Sequence, residues 1–388
     1  MTKPIIALDA RRAVRRMSGI GNYVLQLARY LPKLAPEFRF DLLLDRPLRP
    51  DTVPDGCRQQ VMGRFVGDGT PLAKFYSPFW LNLYVPKYLE RNEVALFHGT
   101  NFVKPLWAKC KTVVTIHDLS FLRLPKAYGP IYRRYMKLQV QLALRTAKAI
   151  ITGSNSAKRD LIEILRVHPE KITVIYNGVG DDFLKRHPES YLQQVRLKLN
   201  LPSRFILYVG VIEVKKNLIP LIEAGVNVIK KGLADALILA GRDGRGANKI
   251  KGFVRKLGLE KDVRFLGFVP QELLPGLYSL ARVVVFPSLY EGFGLPVLEG
   301  MASGVPVILS GSSSLPEVAG DAGFILKEAT SNEIEHALRM VLGNESLWQQ
   351  LRERGLKRAQ GFSWRESAAK HLEVYRKILL ETKRGDNV

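Results

Sequence analysis

The sequence predicts an α/β protein made of two doubly wound domains. Three observations lead there. Short aliphatic runs of strand length alternate with stretches of helical periodicity from end to end. At 388 residues the chain has room for two or three domains. Glycine-bearing loops directly follow two of the apolar runs, after Val209 and after Phe286, where open α/β sheets hold their ligands.

In the first half, strands are expected at 5–9, 40–44, 94–98, 112–116, 149–152 and 172–176. After the first of them, Ser18-Gly19-Ile20-Gly21 reads as a loop opening onto a helix with Tyr23, Leu27, Tyr30 and Leu31. As a dinucleotide fingerprint it lacks the third glycine and the acidic ribose partner. Residues 45–93 read as irregular, rich in proline and in aromatics such as Phe75, Tyr76, Phe79, Trp80 and Tyr84. That composition suits a loop-rich region around a cleft or a packing insertion equally well. His98 and His117 lie at the ends of expected strands. A helix is expected over 128–148, with Arg133, Lys137, Gln141, Arg145 and Lys148 in one stripe. That stripe is either a solvated face or one turned to a membrane or a phosphate. Ser154 caps a helix over 157–165, and a polar segment with Pro188 and Pro202 reads as a hinge.

The second half repeats the alternation. A strand at 205–209 leads through Gly210-Val211-Ile212-Glu213-Val214-Lys215-Lys216-Asn217 into a helix from Leu218. Strands at 236–240 and 263–266 end in Gly241-Arg242-Asp243 and Gly267-Phe268-Val269-Pro270. The strand at 283–286 ends in Glu291-Gly292-Phe293-Gly294, and a helix starts at Leu295 or Pro296, since proline fits the first turn. Gly304 ends it, and 305–309 is a further strand. Helices fill 331–360, and a last one carries Ala368, Leu372, Tyr375 and Leu379 in register.

Successive amides from Gly292 to Leu295 at a helix N-terminus favour an anion, and the glycines let it approach the backbone. Glu299 follows Glu291 by eight residues and leans back toward the same space. Amides for phosphate beside carboxylates for hydroxyls suit a sugar joined to a nucleoside diphosphate. A lysine at a strand-to-helix loop is likewise a point charge for phosphate.

The formal net charge is +23. Residues 1–200 hold 33 Lys and Arg against 16 Asp and Glu, and 101–150 hold ten against the single acid Asp118. Such a field draws anionic partners, a membrane surface, a polyprenyl phosphate or nucleic acid among them. Zinc spacing and an RNA-binding aromatic motif are missing, so charge alone supports a nucleic-acid binder. No apolar run approaches a membrane span, and the N-terminus has no signal-peptide layout. Cys57 and Cys110 show no paired spacing, which points to a reduced, cytoplasmic setting without a metal cluster.

The run EGFGLPVLEGMASGVPV, from Glu291 to Val307, resembles the E-x7-E signature of the retaining glycosyltransferases of family 4. VVTIHDLSFLRLP resembles that family's active-site loop, and Tyr176-Asn177-Gly178-Val179 its turn at the end of the first domain. The resemblance implies the GT-B architecture, two Rossmann-like domains facing each other across a cleft with the last helix crossing back to the first. The boundaries expected on this basis are 1–185 for the acceptor domain, 186–202 for a linker, 203–362 for the donor domain and 363–388 for the last helix.

It further implies that Glu291 and His117 lie by the transferred sugar, with His98 and Asp118 supporting His117. Glu299 would hold the ribose hydroxyls, Lys216 and then Lys215 the diphosphate, and the amides of Gly292, Phe293, Gly294 and Leu295 sugar and phosphate. The segment of Val269 would hold the base, and the loop of Gly19 and Gly21 would close over the diphosphate. This chain has Val211 where many members carry an arginine.

The activity so implied is metal-independent, retaining transfer of a hexose, mannose or glucose, from a nucleotide sugar to a lipid-linked or polysaccharide acceptor. No cofactor and no metal are expected. Arg133, Lys137, Arg145 and Lys148 are the expected acceptor or anionic membrane surface, with the enzyme peripheral on the inner face. A sugar-nucleotide epimerase of similar architecture is the enzymatic alternative.

Overall fold

The computed structural model describes residues 2–14, 19–49, 52–63 and 79–381. The chain divides into two compact units: residues 1–178 with 364–388, and residues 179–363. Phe75, Tyr76 and Ser18 fall outside the described residues.

The sheet of the first unit contains β1 (Ile5–Asp9), β2 (Arg39–Leu44), β3 (Cys57–Val61), β4 (Leu96–Gly99), β5 (Lys111–Thr115), β6 (Ala149–Thr152) and β7 (Ile172–Val174). All pairs are parallel, in the order β3-β2-β1-β4-β5-β6-β7. β1 is buried along its whole length, because helices cover both faces of such a sheet and its strands become continuous aliphatic runs. β3 is the exception. Cys57-Arg58-Gln59-Gln60-Val61 forms the exposed edge, where polar residues blunt further pairing, so no apolar run marks it within the segment read as irregular. Trp80 from that segment is fully buried; its indole donates to Met62 O at 2.7 Å and the Arg11 guanidinium lies 4.4 Å over its ring.

The last helix, Trp364–Leu380, belongs to this first unit. It packs on the helix Gly19–Leu34, and Arg376 pairs with Glu37 at 2.6 Å. Gly19 and Gly21, expected in a loop, instead form the first turn of that helix. Gly21 is explained by packing: a Cβ there would stand 2.8 Å from the carbonyl oxygen of Arg12.

The sheet of the second unit contains β8 (Phe205–Val209), β9 (Ala236–Ala240), β10 (Val263–Gly267), β11 (Val283–Phe286), β12 (Val307–Ser310) and β13 (Phe324–Leu326), ordered β10-β9-β8-β11-β12-β13. The strand order reverses between β8 and β11, which makes the crevice beyond their C-terminal ends the switch point of the sheet. Residues 186–202, read as a linker, hold a helix, Glu189–Lys198, within this unit. Tyr191 and Val195, one turn apart, pack on Gly276, and Tyr191 Oη donates to Glu272 O at 2.7 Å. Val179 N donates to Phe362 O at 3.1 Å, so the first and last residues of the unit lie side by side.

Candidate active site

The loops after β8 and β11 meet at the switch point of the second unit, where Leu289 N donates to Lys215 O at 2.9 Å. After β8, a single tight turn, Val214–Lys216, delivers Lys216 to the crevice. Asn217 takes a left-handed conformation at φ 57°, donates its side-chain amide to Ala329 O at 2.9 Å, and lets the helix Leu218–Lys230 begin. Gly241 shows why the neighbouring strand end is glycine: its φ is 149°, and a Cβ would fall 1.8 Å from Gly210 O.

Lys216 Nζ and Glu291 Oε1 form an ion pair whose side chains are 10% and 13% exposed. The ammonium also lies 5.3 Å over the Phe286 ring, a cation–π contact in a half-desolvated place. Sequence reading assigned these residues to phosphate and to sugar separately. The structure joins them into one unit. The backbone at Glu291 is held as well: its N–H donates to Ser313 Oγ at 2.7 Å, and Ser314 Oγ donates to Glu291 O at 3.0 Å and Phe293 O at 2.9 Å.

Gly294 precedes the helix Leu295–Ala302 at φ 110°, with Leu315 Cδ2 2.6 Å from where a Cβ would lie. No side chain caps this helix, so its first-turn amides and the positive end of its dipole face the loop. Phe293 is buried edge-on against Phe362, at 6.0 Å, which anchors the loop ahead of the helix. Lys215 lies 3.7 Å from Glu213. Val269 turns its side chain inward, while Phe268 is 45% exposed.

Glu299 is half-buried in the same helix and accepts a hydrogen bond from Tyr278 Oη at 2.9 Å. Burial pushes the carboxyl up to about 7, against the opposing pull of that bond. Tyr278 is fully buried and keeps its proton, because burial and the Glu299 charge both raise its pKa. A carboxylate accepts from hydroxyls best when ionised, so in the ribose-holding role that the family resemblance implies, nucleoside diphosphate affinity is expected to rise as pH goes from about 6 to 8. Titration calorimetry checks this: the rise should be larger in wild type than in Glu299→Gln, and equal pH slopes would remove Glu299 from the site.

In the first unit, His117 follows β5 and is half-buried. Its Nε2 lies 2.9 Å from Thr100 O, and a carbonyl only accepts, so Nε2 carries the proton. In the neutral ring Nδ1 is then an acceptor. Burial lowers its pKa, opposed by the Thr100 bond and Asp118 and assisted by Arg12, which keeps the ring neutral. Asp118 Oδ1 accepts from Ser120 N at 2.8 Å and so shapes the turn after His117. His98 is fully buried and bonds to Tyr375 and Thr115, without a direct hydrogen bond to His117.

The expected basic stripe stands in part, with Lys137, Arg145 and Lys148 exposed. Arg133 is half-buried and donates to Phe121 O at 3.2 Å, and Lys148 lies beyond the helix Pro130–Thr146. The outward face of this helix instead presents Ile131, Arg134, Tyr135, Leu138 and Arg145, with Lys137 beside them. Among the described residues, no group of three or more His, Cys, Asp or Glu is placed to hold a metal. Sequence reasoning missed Tyr278 and Ser313, neither of which stands in a motif of its own.

Comparison with known proteins meets this geometry. The family model described as Glycosyltransferase Family 4 matches residues 17–183, and that described as Glycosyl transferases group 1 matches residues 192–358. The chain is 32% identical over 282 residues to the O-antigen chain mannosyltransferase B of Escherichia coli, covering 72% of this chain and 74% of that protein. It is 30% identical over 286 residues to the serotype-specific mannosyltransferase WbdA of Escherichia coli, covering 71% of this chain but only 34% of that longer protein. The solved sucrose-phosphate synthase of Thermosynechococcus elongatus superposes with a TM-score of 0.79 at 24% identity, over 97% of this chain and 100% of that one. The last of these is a likeness of fold, the GT-B class, whereas the mannosyltransferase match extends to the sequence itself. With a signature loop seated at the switch point of one sheet and the O-antigen chain mannosyltransferase B matched over 74% of its length, this chain belongs to glycosyltransferase family 4 and is a glycosyltransferase.

Proposed function

We propose that the enzyme transfers a hexose, with mannose first and glucose second, from a nucleoside-diphosphate sugar to a lipid-linked or polysaccharide acceptor of cell-envelope glycan synthesis, retaining the anomeric configuration without a metal. The observation that carries the reading is the buried Lys216–Glu291 pair beside an uncapped helix end, with Glu299 on that same helix. The printed names of the relatives, O-antigen chain and serotype-specific mannosyltransferases, support mannose and envelope glycan.

In this mechanism the diphosphate lies against the helix amides and Lys216, which stabilise the charge that grows as the glycosidic bond breaks. Glu291 fixes the Lys216 ammonium and accepts from sugar hydroxyls. In the first unit, the neutral His117 offers Nδ1 as acceptor to a substrate hydroxyl. Glu299, oriented by Tyr278, holds the ribose. Retention follows from attack on the face the diphosphate leaves. The test is incubation with UDP-glucose, UDP-galactose, GDP-mannose and ADP-glucose in EDTA, reading nucleoside diphosphate release and the anomer formed. Slow release from one donor with retained configuration is expected. No release from any donor, dependence on a divalent cation, or conversion to an epimerised nucleotide sugar would contradict it.

The proposal places the enzyme at the inner, anionic membrane face. Support comes from the exposed face of helix Pro130–Thr146, where Ile131 is 84% and Leu138 54% exposed beside Arg134, Lys137 and Arg145. Apolar side chains that insert and cations at headgroup level are what an interfacial helix needs. Among the described residues no helix is long and apolar enough to cross a membrane. Each cation near such a surface contributes ~1 kcal/mol, so replacing Arg134, Lys137 and Arg145 with glutamine should weaken vesicle binding ~100-fold. Sedimentation with anionic and neutral vesicles checks it. Wild type that ignores anionic vesicles at low salt would end the membrane reading.

A further inference from the structure

The interior of the first unit contains a chain of five hydrogen bonds whose direction is fixed by chemistry. It starts at Ser367 O, which lies 2.7 Å from His371 Nδ1. A carbonyl only accepts, so Nδ1 carries the proton and Nε2 of the neutral ring accepts. Its donor is Tyr23 Oη, at 2.8 Å. Having given its one proton, Tyr23 accepts from Thr115 Oγ1–H at 2.9 Å. Thr115 in turn accepts from His98 Nε2–H at 2.7 Å. That leaves His98 Nδ1 to accept from Tyr375 Oη–H at 2.6 Å. Every proton is used once, and one end of the chain dictates the other. All the ring-bearing members are fully or almost fully buried, and burial lowers the pKa of both histidines, as two neutral rings require.

The chain ties the helix Gly19–Leu34 and the last helix to β4 and β5. Its middle member lies against the candidate site: the Tyr23 ring stands edge-on to His117, centroids 5.1 Å apart and planes at 89°. His117 comes two residues after Thr115, just past the end of that strand, and is also held by the Thr100 carbonyl and, from another side, by the Phe102 ring at 5.9 Å. We propose that Tyr23 is a positioning residue: the directed chain fixes its phenol, and the ring fixes the plane of His117 so that Nδ1 stays available to a substrate hydroxyl. A tyrosine two residues beyond a glycine turn thereby links the last helix of the sequence to the reacting group.

This rests on the reading that His117 touches substrate, so the experiment separates the two. Histidine tautomers are read by 15N NMR of the whole protein at neutral pH, without ligand. Protonated Nδ1 on His371 and protonated Nε2 on His98 and His117 are expected, and a proton on Nε2 of His371 overturns the chain. In Tyr23→Phe, which keeps the ring and loses the hydroxyl, the His117 resonances should shift and broaden. Thr115→Val should do the same, and Thr115→Ser, which keeps the hydroxyl, should restore wild-type spectra. His117 signals unchanged in Tyr23→Phe would leave the tyrosine a packing residue and end the proposal. Kinetics follow with GDP-mannose or UDP-glucose, whichever wild type cleaves. A ~10- to 100-fold loss of kcat in Tyr23→Phe, with donor KM within about twofold, is the signature of lost alignment. Normal kcat in His117→Ala would refute the substrate contact, whereas a slow His117→Ala beside a normal Tyr23→Phe would refute the positioning alone.

Discussion

Replacing either Lys216 or Glu291 with alanine is expected to lower donor turnover ~10²- to 10³-fold, the scale of losing one aimed charge at a leaving group. Replacing both should cost little more. The reason is the ion pair: both side chains are nearly withdrawn from water, so removing one leaves the other buried and uncompensated. Breaking such a pair costs ~3–5 kcal/mol, while removing the two together avoids the orphaned charge. Lys216→Ala would leave an unpaired carboxylate at the proposed diphosphate position, and Glu291→Ala would free the ammonium to swing from its place over Phe286. A double-mutant cycle on kcat/KM measures the coupling. Additive losses would mean that the two residues act on separate parts of the substrate.

The second large effect is on stability in acid. His371 is fully buried, flanked by Tyr23, Ser367, His98 and Tyr375, with His117 nearby, and burial holds its pKa down at about 4. The unfolded ring titrates at about 6.5, so between the two values the unfolded chain binds more protons. Its stabilising contribution is therefore complete above about 6.5 and lost as pH falls toward about 4. Going from pH 7 to 4.5 is expected to remove ~2–3 kcal/mol through this residue alone. His98, also lowered by burial, acts in the same direction. Urea unfolding at the two pH values, in wild type and in His371→Gln, checks it. The variant should lose distinctly less on acidification; identical losses would show that His371 titrates normally in the native protein.

Which parts of this were legible in the sequence follows from where each signal is stored. β1, β9 and β11 are buried on both faces, so Ile5–Asp9, Ala236–Ala240 and Val283–Phe286 announce themselves as aliphatic runs. The edge strand β3 carries Arg58, Gln59 and Gln60 and so looked like loop. Glu291 and Glu299 are legible because one helix start holds both. The partner of Glu291 is 75 residues away in another loop, and no local pattern encodes that pairing. Tyr278 likewise lies in a helix whose neighbours say nothing of Glu299. The basic stripe was legible only in part, for a different reason. Periodicity defines a face but not which face is outward, and Arg133 turned to Phe121 while Ile131 and Leu138 turned to solvent. The buried chain from Ser367 to Tyr375 is the extreme case, since His98 and Tyr375 are 277 residues apart.

The central claim is that the crevice at the switch point of the second sheet holds the donor's nucleoside diphosphate. Calorimetric titration of UDP, GDP and ADP into wild type, Glu299→Ala and Lys216→Ala tests it most directly. One of the three nucleotides should bind wild type in EDTA. Glu299→Ala should then bind it more weakly by ~1.5–3 kcal/mol, roughly 10- to 150-fold, the worth of hydrogen bonds to a charged group. Lys216→Ala should weaken it as well, and its loss should shrink when the matching nucleoside without phosphates is titrated instead. Wild-type affinity in both variants would place the nucleotide elsewhere and contradict the account.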